Sequence, residues 1–443
     1  MQHTLDRSIS PGMLLRFSLP TIASSIFMSV YSSVDGVFVS RLIGTDALSA
    51  VNLVMPLVLF AMVIGTMFGA GGNALVAKKL GEGKNEEAKQ DFSLLVAVAF
   101  VVSCALCILG LVFLGPLLRL LGADAGLLGL CRDYAVPTLL LYPLSVFSML
   151  FQMSFITVGR ATVGLLLSVA GGLTNIALDY WFIAKLGGGI AGAAIATGIG
   201  YAVPALAGLV YFWAFRRGSL YLVRPRWRWR VIAKSCSNGA SEMVGSLSSG
   251  IVTLLLNNIL MRLAGADGVA AITIILYAQG VLSSAYMGYS YGVAPIISYN
   301  YGKQDTARLK RIYSLSLRGI TALSLAVFVL SLAFAQPLVA IFTQPGTPVF
   351  TLAVHGYRVF SVCFLFMGVN AFASALFTAL SNGRVSAILA FFRTLVFFTG
   401  AVLGLAWLLG VEGVWMAIPL AEVLGLAMAL YYFRKMRPVY GYC

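Results

Sequence analysis

Apolar residues run through this chain in long blocks, separated by short clusters of charge. Each block approaches or exceeds the roughly 20 residues that a helix needs to cross the hydrocarbon of a bilayer. Twelve follow one another: 13–40, 46–77, 91–114, 131–156, 163–184 and 191–214, then 236–263, 268–300, 312–335, 351–380, 386–409 and 413–433. The pattern predicts an all-α integral membrane protein with twelve transmembrane helices. Its expected organisation is an N-terminal lobe over 1–215, a basic linker over 216–235 and a C-terminal lobe over 236–443.

The two sets of six repeat one another. Arg41-Leu42-Ile43-Gly44-Thr45-Asp46-Ala47 matches Arg262-Leu263-Ala264-Gly265-Ala266-Asp267-Gly268, an offset of 221 positions. Gly71 and Gly81 pair with Gly292 and Gly302 at the same offset, Gly192 pairs with Gly413, and Gly159-Arg160 recurs as Gly383-Arg384. One offset shared by several motifs marks an internal duplication. An even number of spans per half makes the repeats parallel, with the pathway expected between two pseudo-symmetric lobes.

Composition agrees with this reading. Hydrophobic residues make up 60% of the 443 and charged ones only 10%, against roughly a quarter charged in a soluble domain. The formal net charge of +15 would suit nucleic acid, but its placement is that of a topology signal. Lys and Arg gather in Lys78–Lys89, Arg216–Lys234, Lys303–Arg318 and Arg434–Arg437, all on one side if the loops alternate. This positive-inside bias predicts a multi-pass protein of the cytoplasmic membrane with both termini in the cytoplasm. The first apolar block is too long for a cleavable signal peptide.

Several motifs lack the context that their chemistry requires. Cys104 and Cys107 have redox spacing but lie in a lipid-length helix, where cysteine acts as a small hydrophobe. Gly187-x-Gly189-x-x-Gly192 follows no strand, no phosphate loop of the GxxxxGK[ST] type exists, and His3 and His355 are too few for a metal centre. No cofactor, resident metal or nucleic-acid partner is expected, and nothing points to ATP-driven transport or to an enzyme.

Ionisable groups inside spans are costly and usually face a cavity or a partner. Asp35, in Ser32-Ser33-Val34-Asp35-Gly36, and Asp179, in Asn175-Ile-Ala-Leu-Asp179, lie at similar depth on helices running the same way, with Asn175 on the face of Asp179. Two carboxyls in a low dielectric resist double ionisation and so hold a proton or share a small cation. The bland alternatives are a carboxyl capped by serines and a helix-end residue. No equivalents occupy the matching positions of the second half, which predicts an acidic site in one lobe. Glu242, read as lying near the start of span seven, serves either as a substrate or second cation site or as a solvated headgroup-level residue. Arg393 and Glu422, on consecutive spans, read best as a structural ion pair. Pro20 interrupts span one and predicts a bend there.

In these residues the chain resembles the multidrug and toxic compound extrusion (MATE) family, in its DinF and MepA-like branch, over nearly its whole length. The carriers are Val34-Asp35-Gly36-Val37-Phe38-Val39 with Gly44, Gly69–Gly81, Asn175-Ile-Ala-Leu-Asp179, Gly189-Ile-Ala-Gly192-Ala-Ala-Ile-Ala-Thr197 and Gly292-Val-Ala-Pro295-Ile-Ile-Ser-Tyr299-Asn300-Tyr301-Gly302. The resemblance implies a secondary antiporter that exports organic, often cationic and amphipathic, compounds in exchange for H⁺ or Na⁺. It implies a coupling site at Asp35, Asn175 and Asp179, joined by Thr197 and by the bend at Pro20. Tyr180 departs from the Pro that often follows the fifth-span Asp. Small organic cations and membrane lipid are the expected partners, and a monomer the expected working unit. The rival within the wider superfamily is a flippase for a lipid-linked precursor, which would need a basic cavity.

Overall fold

In the computed structural model the described residues are 8–43, 45–216 and 218–442, less the side chains of 32–42, 45 and 48. They form helices and connecting turns. Ten helices are long and apolar enough to cross a membrane. A further span is the pair Leu128–Leu140 and Tyr142–Thr157, bent by 52° where Pro143 follows the break. The 74-residue run Trp229–Gly302 is itself two helices, since Gly265 breaks it at φ 62°, ψ −152°. That conformation is open to glycine and strained for other residues.

The twelve spans are α1 (Pro11–Leu42), α2 (45–81), α3 (Asn85–Val112), α4 (the bent pair), α5 (Ala161–Lys185), α6 (Gly189–Ala214), α7 (229–264), α8 (266–302), α9 (Thr306–Ala333), α10 (Pro348–Ala379), α11 (Gly383–Leu409) and α12 (Val411–Tyr440). The duplication read from the sequence reappears in their boundaries. Helix α3 and helix α9 begin and end 221 positions apart, and the short helices after them, Leu114–Leu120 and Ala335–Ala340, start at the same offset.

Two compact units divide the chain. One comprises Ala23–Gly239, the other Ser8–Ile22 with Ala240 onward. The first turns of α1 thus pack in the unit of the second half: Cβ atoms added to Gly288 or Gly292 would strike α1 at Ile22 and Thr21. The linker and the first turns of α7 belong to the first unit, where Gly71 and Gly239 bring α2 and α7 so close that a Cβ on either would meet the other helix's backbone.

Small residues set the helix contacts throughout, as expected where lipid leaves van der Waals packing to drive association. A Cβ on Gly171 would meet the Gly200 carbonyl, and one on Gly200 would meet Asn175, so α5 and α6 lie backbone to backbone. In the second unit three helix starts carry side-chain caps: Asp305 accepts from the Arg308 N–H of α9, Thr347 from Phe350 of α10 and Asn382 from Val385 of α11. Each satisfies one of the N–H groups that a helix start leaves open.

Three π turns interrupt the spans, at Met67–Gly72 in α2, Tyr180–Lys185 ending α5 and Phe392–Phe397 in α11. Such turns often coincide with functional positions. The second directly follows Asp179 and the third contains Arg393.

Candidate functional site

In the first unit the close approach of α5 and α6 brings Asn175 to Thr197. The Asn175 amide donates to Thr197 Oγ1 at 3.4 Å, and that hydroxyl donates onward to the Ala193 carbonyl at 3.0 Å. Asp179 is one turn further along α5, and both Asn175 and Asp179 are fully buried. The Asn175 Oδ1 accepts no hydrogen bond among the described residues, which leaves a buried acceptor beside a buried carboxyl. The side chain of Asp35 lies outside the described residues. Pro20 is part-exposed in α1, two residues before the chain passes from one compact unit to the other.

A second polar centre lies wholly within the other unit. A cavity of about 370 Å³ opens among α7, α8, α10, α11 and α12. Glu242 reaches it from α7 and accepts a hydrogen bond of 2.8 Å from the Tyr291 hydroxyl of α8. Across it the Arg393 guanidinium clamps Glu422 through Nε, at 2.9 and 3.0 Å from the two carboxylate oxygens, and through a terminal nitrogen at 2.9 Å. The Asn370 amide donates to the same carboxylate at 2.6 Å and to the Glu422 backbone carbonyl at 2.8 Å. Two N–H groups in fork geometry plus an amide satisfy a buried carboxylate better than a single contact would. Arg393 and Glu422 pair with each other, so among the described residues of the lining Glu242 is the carboxyl with no basic partner.

The surroundings combine hydroxyls and amides with a thioether and aromatic wall. Ser249, Thr253, Gln279 and Ser283 supply the first; Met287 and Phe398 belong to the second. A concave, largely apolar space with a few fixed polar groups is the usual form of a small-molecule site.

The two carboxyls expected in second-half spans, Glu242 and Glu422, both line this cavity. Glu242, expected near the start of span seven, lies deeper in its helix. Helix α7 starts at Trp229 rather than near 236, so Glu242 stands 13 residues along it, about 20 Å at 1.5 Å per residue. Its partner is Tyr291, and the basic linker turns elsewhere: Arg228 binds Glu87, Gln90 and Asp91 of α3. Tyr291 and Asn370 are not marked in the sequence, because neither is charged or part of a recognised motif. The signal that was present is a polar stripe on α7, Glu242, Ser246, Ser249 and Thr253, at the three- and four-residue spacing of one helix face.

The MatE family model matches the chain twice, over residues 20–181 and 243–403, one match in each half. A FAD transporter of Shewanella oneidensis is 26% identical, with 98% of this chain and 96% of that protein aligned. The multidrug export protein MepA of Staphylococcus saprophyticus is 24% identical, over 94% and 92%. The fold superposes on a crystal structure of a MATE protein in complex with MaL6 at a TM-score of 0.93 and 23% identity, covering 99% of both chains. The chain therefore belongs to the MatE family, in its MepA-like branch, and is a multi-pass membrane transporter rather than an enzyme.

Proposed function

We propose that this transporter exports amphipathic organic compounds, chiefly cations, from the cytoplasm by alternating access, in exchange for H⁺ or Na⁺. The observation that carries the reading is the second unit's cavity, in which the carboxyl of Glu242 has no basic partner among the described residues and the walls suit an apolar body. An organic cation would set its charge near Glu242 and Tyr291 and its hydrocarbon against Met287 and Phe398.

The coupling ion is assigned to Asp35, Asp179, Asn175 and Thr197. The contact of Asn175 with Thr197 and the burial of Asp179 support that assignment, as does the open acceptor on Asn175. Protonation or Na⁺ binding there would lower affinity for the exported cation once the site faces outward. Pro20 is the expected bend between states. The membrane potential adds about 2.3 kcal/mol per charge for each 100 mV, so exchange of a monovalent drug for more than one ion is electrogenic. The basic clusters favour cytoplasmic termini in a plasma-membrane protein, and the proposed working unit is a monomer.

The test is efflux of a fluorescent cation from proteoliposomes with the proton and sodium gradients collapsed separately. Export that survives the loss of both gradients would rule out the antiport reading. A second reading, export of a flavin dinucleotide, draws on the likeness to the FAD transporter. It predicts gradient-dependent loss of FAD from the same vesicles, with lipophilic cations failing to compete.

A further inference from the structure

The segment between α6 and α7 is tied down along its length, although it has no regular secondary structure. Leu220 is buried, the Leu222 N–H donates to the Phe212 carbonyl at 2.7 Å and the Val223 N–H donates to Ser93 at 2.8 Å. Lys89 meets the Tyr221 hydroxyl at 2.9 Å. Arg228 forms the last tie, to Glu87 at 3.2 Å, Gln90 at 3.1 Å and the buried Asp91 at 3.4 Å. Lys79 completes that cluster by pairing with Glu87 and Asp91. The segment is a strap fixed across the ends of α3 and α6, not a loose tether.

Its outer side is unusual. In Arg224-Pro-Arg226-Trp227-Arg228-Trp229-Arg230 only Arg228 turns inward. Trp227 and Trp229 are 71% and 68% exposed, with their rings stacked at 6.5 Å. Arg224, Arg226 and Arg230 are exposed beside them and make no ion pair among the described residues, because the acidic side chains nearby are taken by Lys79, Lys84, Lys89 and Arg228.

We propose that this strap is a docking site for anionic phospholipid headgroups of the leaflet it faces. Trp229 and Arg230 open α7 and the strap leaves the end of α6, so the surface lies where two spanning helices meet the headgroup layer, the depth at which Trp rings are favoured. Guanidinium forks match phosphate oxygens in a bidentate way, and clustered basic residues beside spans attract anionic lipid. Because Arg228 is held inward by three partners, the backbone that carries the other arginines is anchored beside α3.

The whole transporter, reconstituted in nanodiscs of phosphatidylcholine mixed with phosphatidylglycerol, is released into detergent and its retained lipids are counted by native mass spectrometry. The wild type should keep phosphatidylglycerol in excess over its share of the mixture. The R224Q/R226Q/R230Q variant, altered only at exposed side chains, should lose that excess by about tenfold, and the corresponding triple lysine variant should recover part of it. Equal retention by wild type and triple glutamine variant would overturn the proposal. So would equal competition by soluble glycerol phosphate, which would indicate a site for free phosphate, or tighter binding of a single-stranded oligonucleotide, which would indicate nucleic acid. Thermal melting of each variant checks folding independently.

Discussion

Glu242 and Glu422 share a cavity but differ in what surrounds them, and substitution should separate their roles. Glu242→Gln keeps an acceptor for the Tyr291 hydroxyl while removing the charge. Affinity for a lipophilic cation is expected to fall by about tenfold, as for loss of one partly desolvated charge contact, with a neutral analogue unchanged, measured by ligand-dependent fluorescence in detergent. An equal loss for both ligands would mean that Glu242 shapes the cavity rather than reading charge. For the pair across the cavity, Arg393→Met or Glu422→Gln alone strands a buried group and should destabilise by about 3 kcal/mol. The double variant should recover much of that loss, a coupling that thermal or denaturant unfolding would read. Arg393 and Glu422 stand out in the sequence as charges in apolar helices. Tyr291 and Asn370 do not, because hydroxyl and amide groups are common in such helices and only the assembled fold shows which of them face one cavity.

Helices approach most closely where glycine permits it, and there substitutions act on whole elements. A Cβ on Gly239 would meet the backbone of Met67 and one on Gly71 would meet the backbone of Ser235 and Gly239. Neither wall can retreat by changing a rotamer. Gly239→Val should therefore separate α2 from α7 and cost about 3 kcal/mol or more, lowering the melting temperature and the yield of folded protein in membranes. Gly265→Ala tests a different property, since open space surrounds that residue and only its positive φ matters. The expected cost is about 1 kcal/mol, and a melt indistinguishable from wild type would show that the α7–α8 turn tolerates another geometry. That turn was legible as the gap between the apolar blocks 236–263 and 268–300, and the spans from their apolar length. The start of α7 was not. Its first turns carry Trp, Arg and Lys, which read as linker by polarity, while Ile232 and Ser235 among them are buried.

For the molecule as a whole, composition alone leads to a membrane-spanning helical protein, and a constant offset leads to two related halves. Asp179→Asn tests the proposed coupling at this scale. Gradient-driven efflux should fall to the level of vesicles without a gradient while substrate binding persists, and undiminished efflux would remove Asp179 from the coupling site. Sequence could not reveal which stretches the two units exchange, because that depends on long-range packing rather than on local pattern. Residues 8–22 lie with the second unit and 229–239 with the first, and each exchange happens partway along a continuous helix, α1 and α7. The two crossings from one unit to the other therefore run through hydrogen-bonded helix and not through slack loop. A hinge at either point would have to bend or unwind backbone that is already paired, which a chain joined by free coil would not.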